Sequence, residues 1–314
     1  MNLREQEYML AIGRRGSIKK AAEDLNISAP TLSVFLSTLE KNIGVPLFNR
    51  LGKKMVPTEA GTAYLRCAQE MSYLKRQYES VLSGLKNGGR GTLRLGIHPR
   101  RTTYLLPAAL REFAILYPYI QVNVHESSSA NLFKLLLEGE VDLIINNQRN
   151  PDPALEYLPF YKDRLVMVLS PRHPLAGKSV TLPGQPLPWM DLSLFAGETF
   201  ILQKPDQSTR IYTDRAIAYA GVRPGKAYII ENLEAASQMA AEGLGVAFNL
   251  YGFAKHFFYP RPVQYSLVGD LTASIDYYIV QRRDLYMAPH VHEFIKILRA
   301  QMAEELPFVS GTDR

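Results

Sequence analysis

A chain of 314 residues exceeds what one hydrophobic core usually organises, so two or more domains are expected. Its 46% hydrophobic and 21% charged residues are ordinary for a globular protein, and its lone cysteine, Cys67, rules out a disulfide framework within one chain and fits a reducing compartment. The charge is uneven: residues 1–90 hold 14 Lys and Arg against 8 Asp and Glu, while the rest hold 22 of each, so only the first third is suited to a polyanion.

The opening residues, MNLREQEYML, lack a basic segment followed by an apolar run, and no stretch approaches the roughly 20 apolar residues of a membrane span. A cytoplasmic protein without a membrane partner is expected. A first helix carries Leu3, Met9, Leu10 and Ile12 and ends between Gly13 and Gly16. Ser17 stands at the N-cap of a short helix, Ile18 to Leu25, whose buried face is Ala21, Ala22 and Leu25. After the turn Asn26-Ile27-Ser28, a third helix runs from Ala29 to about Asn42, with Ser28 as N-cap and Pro30 in its first turn. Leu32, Leu36, Leu39 and Ile43 form its core stripe, and Gly44 ends it. Two short helices joined by so tight a turn, the second with a polar face, describe a helix-turn-helix. Residues 45–57 then read as two extended pieces around Gly52-Lys53-Lys54, a basic wing that Arg50 reinforces.

The residues Gly16-Ser17, Ala21-Ala22, Leu25, Ser28, Pro30, Leu32-Ser33, Leu39-Glu40, Gly44-Val45, Leu47-Phe48, Arg50 and Thr58-Glu59-Ala60-Gly61 stand in one register. In this pattern the chain resembles the LysR-type transcriptional regulators. The resemblance implies a winged helix-turn-helix on double-stranded promoter DNA, a homodimer or homotetramer, RNA polymerase as a further partner, and a small-molecule effector. DNA contacts are expected at Ser17, Lys19, Lys20, Ser28, Ala29, Pro30, Thr31, Ser33, Val34, Ser37, Arg50, Lys53 and Lys54, with Lys41 among the phosphate contacts and Arg14 and Arg15 in reserve. Many members have glutamine after the turn serine and basic or amide residues further along; here these positions are Ala29, Val34, Phe35, Ser37 and Thr38, and no Lys or Arg lies between Ala21 and Glu40. Arginine readout of guanine is thus unavailable from this helix. Val34 or Phe35 against thymine methyls, with much shape readout, points to an A/T-leaning site.

From Glu59 to Lys86 no proline occurs, and Tyr64, Cys67, Met71, Leu74, Tyr78, Val81 and Leu85 step by threes and fours, the a/d pattern of a paired helix. Asn87-Gly88-Gly89-Arg90-Gly91 breaks it. Strands around Leu93–Ile97, Ile120–Val124, Val141–Ile145, Leu165–Leu169, Thr199–Leu202, Ala227–Ile230, Gly245–Asn249 and Ser274–Val280 then alternate with helices near Leu105–Tyr117, Ala130–Leu137, Ser208–Ala220, Leu233–Glu242 and Pro289–Ala303. Such alternation predicts an α/β region with largely parallel sheets.

Within the family this region is a two-lobed sensor similar to periplasmic binding proteins, and Leu137-Glu138-Gly139-Glu140-Val141-Asp142-Leu143, His173-Pro174-Leu175 and Ala241-Glu242-Gly243-Leu244-Gly245-Val246 match it locally. The implied domains are 1–58 for DNA binding, 59–87 for the dimerisation helix and 88–306 for effector binding. Lobe 1 is then about 91–161 with 269–306, and lobe 2 about 162–268. Ligands of such sheets bind at strand C-terminal ends. That points to Arg100, Arg101 and Thr102 after the first strand, with Ser127, Ser128, Asn146, Gln203 and Phe248 as further walls. The family often has serine or threonine at the position of Arg100, so a carboxylate or phosphate is the expected effector.

No nucleophile elbow, Walker loop or dinucleotide-binding glycine motif is present, and the six histidines are scattered. No enzyme activity, metal or cofactor is expected. A transport solute-binding protein conflicts with the basic N-terminal third, and an enzyme bearing a DNA-binding appendage would have to show turnover.

Overall fold

Capping chemistry sets the helix ends in the N-terminal part of the chain. The structure, a computed structural model, describes residues 3–52, 54–86, 91–283 and 287–305. Helices α1 (Leu3–Arg15), α2 (Ile18–Asp24) and α3 (Ala29–Ile43) lie within a residue or two of the expected spans. The Ser28 hydroxyl accepts the Thr31 N–H at 3.2 Å, and Pro30 sits in the first turn, where a missing N–H costs nothing. Gly44 closes α3 in the left-handed region, φ 85°, with its N–H on the Glu40 carbonyl at 2.8 Å. Ser17 occupies the N-cap of α2, but its side chain makes no capping bond.

Met9, Ile12, Ala21, Ala22, Leu32, Leu36 and Leu47, each at most 2% exposed, form the core of this bundle. The small side chains of Ala21 and Ala22 let neighbouring helices approach. Strands β1 (Phe48–Leu51) and β2 (Lys54–Pro57) pair antiparallel as the wing. Its base is fixed by the Glu40 carboxylate, which accepts the N–H groups of Leu47 at 2.7 Å and Phe48 at 3.0 Å. The 28-residue helix α4 (Glu59–Lys86) follows, about 42 Å long at the usual rise. A side chain at Gly61 would place Cβ 1.8 Å from the Leu47 carbonyl oxygen, so only glycine permits α4 to pack there.

Along α4, Ala68 and Tyr73 are buried, whereas Leu74 is 54% and Tyr78 62% exposed, and Cys67 is an exposed free thiol. The expected stripe is thus partly uncovered on a single chain. The side chains of Val81 and Leu85 lie outside the described residues, as do Lys53 and residues 87–90.

Beyond this come β3 (Gly91–Ile97), α5 (Pro99–Leu116), β4 (Ile120–Glu126), α6 (Ser129–Leu137), β5 (Leu143–Asn146), β6 (Leu155–Asp163) and β7 (Leu165–Leu169). The chain continues through β8 (Thr199–Leu202), α7 (Ser208–Ala220), β9 (Lys226–Ile229), α8 (Leu233–Ala241), β10 (Val246–Leu250), α9 (Tyr251–Ala254), β11 (Gln264–Leu267), β12 (Ile275–Arg282) and α10 (Pro289–Glu305). Strands β6 and β11 had no counterpart in the sequence reading. One sheet has the order β4-β3-β5-β12-β6 and the other β11-β7-β10-β8-β9. The second is mixed rather than largely parallel: β8 runs parallel to β9 and β10, but β7 is antiparallel to both β10 and β11. Only two short 3-10 turns stand between β7 and β8, so no crossover helix enforces a parallel return. Met167, Phe195, Phe200 and Phe248 anchor the core on one side of this sheet.

Backbone packing divides the chain into two compact units. One comprises Met1–Gly96, Tyr117–Ile144 and Gln281–His292; the other comprises Ile97–Leu116, Ile145–Val280 and Glu293–Arg314. No helix among the described residues is long and apolar enough to cross a membrane.

Candidate nucleic-acid interface and ligand site

Helix α3 turns Leu32 and Leu36 inward, which leaves Pro30, Thr31, Val34, Ser37 and Thr38 exposed, Val34 by 66%, with Ser33 and Ala29 half-buried. Phe35 behaves differently from Val34. Its ring meets Tyr8 of α1 edge-on at 5.1 Å, which leaves Val34 as the exposed apolar residue of the pair. Cations flank this polar face. Lys19 and Lys20 are exposed at the start of α2, Lys41 is exposed near the end of α3, and Lys54 is exposed on β2. Arg50 on β1 donates from Nη2 to Ser33 Oγ at 3.4 Å, which links the wing to α3. Of the reserve cations, Arg15 is held by both carboxylate oxygens of Asp24, at 2.5 and 2.7 Å, and Arg14 pairs with Glu140 at 3.5 Å. The face can therefore present an apolar group and several hydroxyls to base edges, with lysines and Arg50 flanking it.

The second set of predicted residues clusters in the other unit, where α5 begins. Arg101 is only 7% exposed, and its guanidinium is spent inside the protein. It donates to the Ile145 carbonyl at 3.2 Å and to Asn147 Oδ1 at 2.6 Å, and it lies 4.8 Å from the centre of the Tyr277 ring. Tyr277 stacks on Tyr161 at 4.3 Å, and the Tyr161 hydroxyl bonds that of Tyr104 at 2.9 Å. Arg100 donates to the Glu231 carbonyl at 2.6 Å, where the Gln207 amide also donates, and Lys204 pairs with the Glu231 carboxylate. Burial, and then the positive charges of Arg101 and Arg100, lower the His98 imidazole to about 4, so it is neutral at pH 7. Burial raises the Asp163 carboxyl to about 6, against the N–H groups of Gly252 and Arg164 that favour its charged form.

Gln203 is wholly buried at the end of β8, yet neither side-chain amide atom has a hydrogen-bond partner among the described residues, and the same holds for the Thr102 hydroxyl. Buried polar groups of this kind are costly unless something satisfies them. Asn146 closes β5 by accepting the N–H groups of Asn147 and Gln148 at 2.9 and 3.2 Å. Phe248 is a correction: on a central strand its ring is fully buried against Phe200, so it belongs to the core and not to a ligand wall. Ser127 and Ser128 lie in the first unit at the N-terminus of α6, where Ser128 caps the helix and Ser127 Oγ accepts from Asn131 Nδ2 at 2.8 Å. Glu231, Gln207 and the tyrosines around Arg101 were absent from the sequence reading, since neither periodicity nor charge marks a carbonyl or a ring as a partner. Among the described residues no cluster of His, Cys, Asp and Glu is arranged to hold a metal ion.

Two family models match these two regions. Residues 3–62 match the bacterial regulatory helix-turn-helix protein, lysR family, and residues 86–303 match the LysR substrate binding domain. The RuBisCO operon transcriptional regulator of Allochromatium vinosum is 27% identical over 304 residues, 96% of this chain and 97% of that one. The HTH-type transcriptional regulator YtlI of Bacillus subtilis is 32% identical over 220 residues, 68% of this chain and 67% of its own. A full-length OxyR variant from Pseudomonas aeruginosa superposes with a TM-score of 0.69 at 20% identity, covering 100% of this chain and 99% of that one, which supports the fold. The curated relatives are transcriptional regulators and not enzymes. An exposed hydroxyl-rich helix beside a basic wing, followed by an α/β region that matches the family's sensor, therefore has one reading: the chain belongs to the LysR family and is a DNA-binding transcriptional regulator with an effector-binding domain.

Proposed function

We propose that the effector is a small anion received beside the N-terminus of α5 by Arg100, Thr102 and Gln203, and that its binding changes how the subunits are arranged on promoter DNA. The observation that carries this reading is Gln203, wholly buried with both amide atoms unpartnered among the described residues. A hydroxylated or carbonyl-bearing ligand would satisfy it. Arg100 uses one N–H group on the Glu231 carbonyl and keeps others for an oxyanion, whereas Arg101 acts from beneath by fixing Asn147. The partly uncovered stripe of α4 supports pairing of two chains, which would set two recognition helices a DNA turn apart. Domain boundaries near 58, 87, 161 and 268 go with this reading, as does action in the cytoplasm beside RNA polymerase. A ligand shifts the arrangement only if it binds one state more tightly than the other.

The test is a thermal-shift titration of the full chain with inorganic phosphate and with a panel of small carboxylates including citrate. The wild type is compared with Arg100→Ala and Gln203→Leu. Stabilisation by at least one anion, reduced in Arg100→Ala, is expected. An anion that stabilises both variants as much as the wild type would place the site elsewhere. A salt-titrated gel shift on DNA upstream of the chain's own gene tests the DNA contacts, with the Arg50→Ala, Lys54→Ala variant binding more weakly.

A further inference from the structure

Outside both candidate sites, one compact unit holds the DNA-binding head against two parts of the sensor segment. Helix α1 packs along α4, and the fully buried Gln6 donates to the Met71 sulfur at 3.0 Å, so head and long helix behave as one piece. Strand β12 ends at Arg282. Its guanidinium carbon lies 3.4 Å from the centre of the Tyr73 ring of α4, and the two residues are 8% and 7% exposed. A planar guanidinium stacked on a tyrosine away from water is a strong and orientation-dependent contact. A second contact joins Arg14, at the end of α1, to Glu140, just beyond α6, at 3.5 Å. Beside that pair, Leu10, Leu65 and Gln69 of the head and α4 share a cavity of about 150 Å³ with Lys134 and Glu138 of the sensor segment. Burial pushes the Glu138 carboxyl up, which marks this junction as partly closed to solvent.

We infer that the sensor clasps the DNA-binding arm through Arg282 on Tyr73 and Glu140 on Arg14, and that this clasp sets the pose in which the head meets DNA. The inference rests on the DNA-binding role, but the clasp itself is open to a test that needs no DNA. Strand β12 gives the clasp its direction. Five residues before Arg282, the same strand carries Tyr277, the ring that packs on Arg101 beside the proposed ligand site. On the head side, α1 passes the constraint to the recognition helix through Tyr8 and Phe35. Arg14 has a second role here, because engaged with Glu140 it is withheld from phosphate.

Two experiments test the clasp on the full-length chain. In a Cys67→Ser background, Arg14→Cys with Glu140→Cys is treated with a short bis-maleimide. A cross-link within one chain is expected; a product that forms only between chains, or none, overturns the inference. Gel-shift affinity and circular-permutation bending are then measured on the upstream promoter fragment. Arg282→Met and the milder Arg282→Lys are expected to change affinity two- to ten-fold and to shift the bend angle, while Tyr73→Phe, which keeps the ring, behaves as wild type. A folded Arg282→Lys with wild-type affinity and bend overturns the coupling. So does a shift in Tyr73→Phe as large as that in Arg282→Lys, because the ring face would then not be the element that matters. Should the wild type bind no DNA fragment, the DNA-binding reading fails and the cross-link alone decides whether the clasp exists.

Discussion

The two halves of the molecule use their basic side chains in opposite ways. In the head, Lys19, Lys20, Lys41, Arg50 and Lys54 stand exposed around a helix face that has no cation from Ala29 to Glu40. In the sensor, Arg101 is drawn inside to a carbonyl, an amide and a tyrosine ring, and Arg100 is half-tied to a backbone carbonyl. Charge counted along a sequence therefore locates a polyanion face, where cations must remain in water, much better than a small-ligand pocket, where the same residue type can be part of the frame.

The largest effect should come from breaking that frame. Arg101→Ala strips buried donors from Ile145 and Asn147 and is expected to cost about 3–4 kcal/mol of stability in urea or thermal unfolding, with Arg100→Ala costing less than about 1 kcal/mol. Equal losses in the two variants would erase the distinction drawn between them. Next in size is a pH effect. His98 is held at about 4 when folded, against an ordinary value of 6.5, so its contribution is complete above pH 6.5 and is lost as pH falls toward 4. After discounting for its partial exposure, about 1–2 kcal/mol is expected over that window, removed in His98→Gln. Asp163 opposes it: its folded value of about 6 lies above the ordinary 3.8, so its protonation favours the fold increasingly as pH falls through that range. Asp163→Asn should therefore steepen the acid-side loss, which pH-resolved melting would show.

In the head, Ser28→Ala removes the cap of α3 and should cost about 1 kcal/mol. The corresponding Ser17→Ala should cost less, since Ser17 makes no capping bond. The smallest stability effect, within about 0.5 kcal/mol, belongs to Arg50→Ala with Lys54→Ala, yet that variant should flatten the dependence of log affinity on log salt by about two units. An unchanged slope would mean the wing does not touch phosphate.

The head was the more legible half because capping and periodicity act over a few residues: Ser28, Pro30, Gly44 and the Leu32 and Leu36 stripe mark α3 without reference to anything distant. Strand β6 escaped because Pro159 interrupts its pattern. The structure puts β6 at a sheet edge, where an exposed proline is tolerated. Strand β11 follows Pro260 and Pro262 and is only four residues long. At the proposed ligand site the sequence marked Arg100, Thr102 and Gln203 by their place after strands, but Phe248 only by adjacency. Which alternate residue of a central strand faces the core depends on its neighbours in the sheet, and one strand read alone does not carry that information. Val34 and Phe35 present the same limit on a helix: adjacent and both apolar, they part company only because Tyr8 stands beside one of them.

That parting has a consequence for how such a regulator diversifies. Because Phe35 anchors α3 to α1 while Val34, Ser37 and Thr38 are exposed, under the proposed DNA-binding role substitutions at the exposed three would retarget the protein to new operators almost independently of folding. Specificity and stability occupy neighbouring positions on one helix, yet mutation can explore the first with little risk to the second.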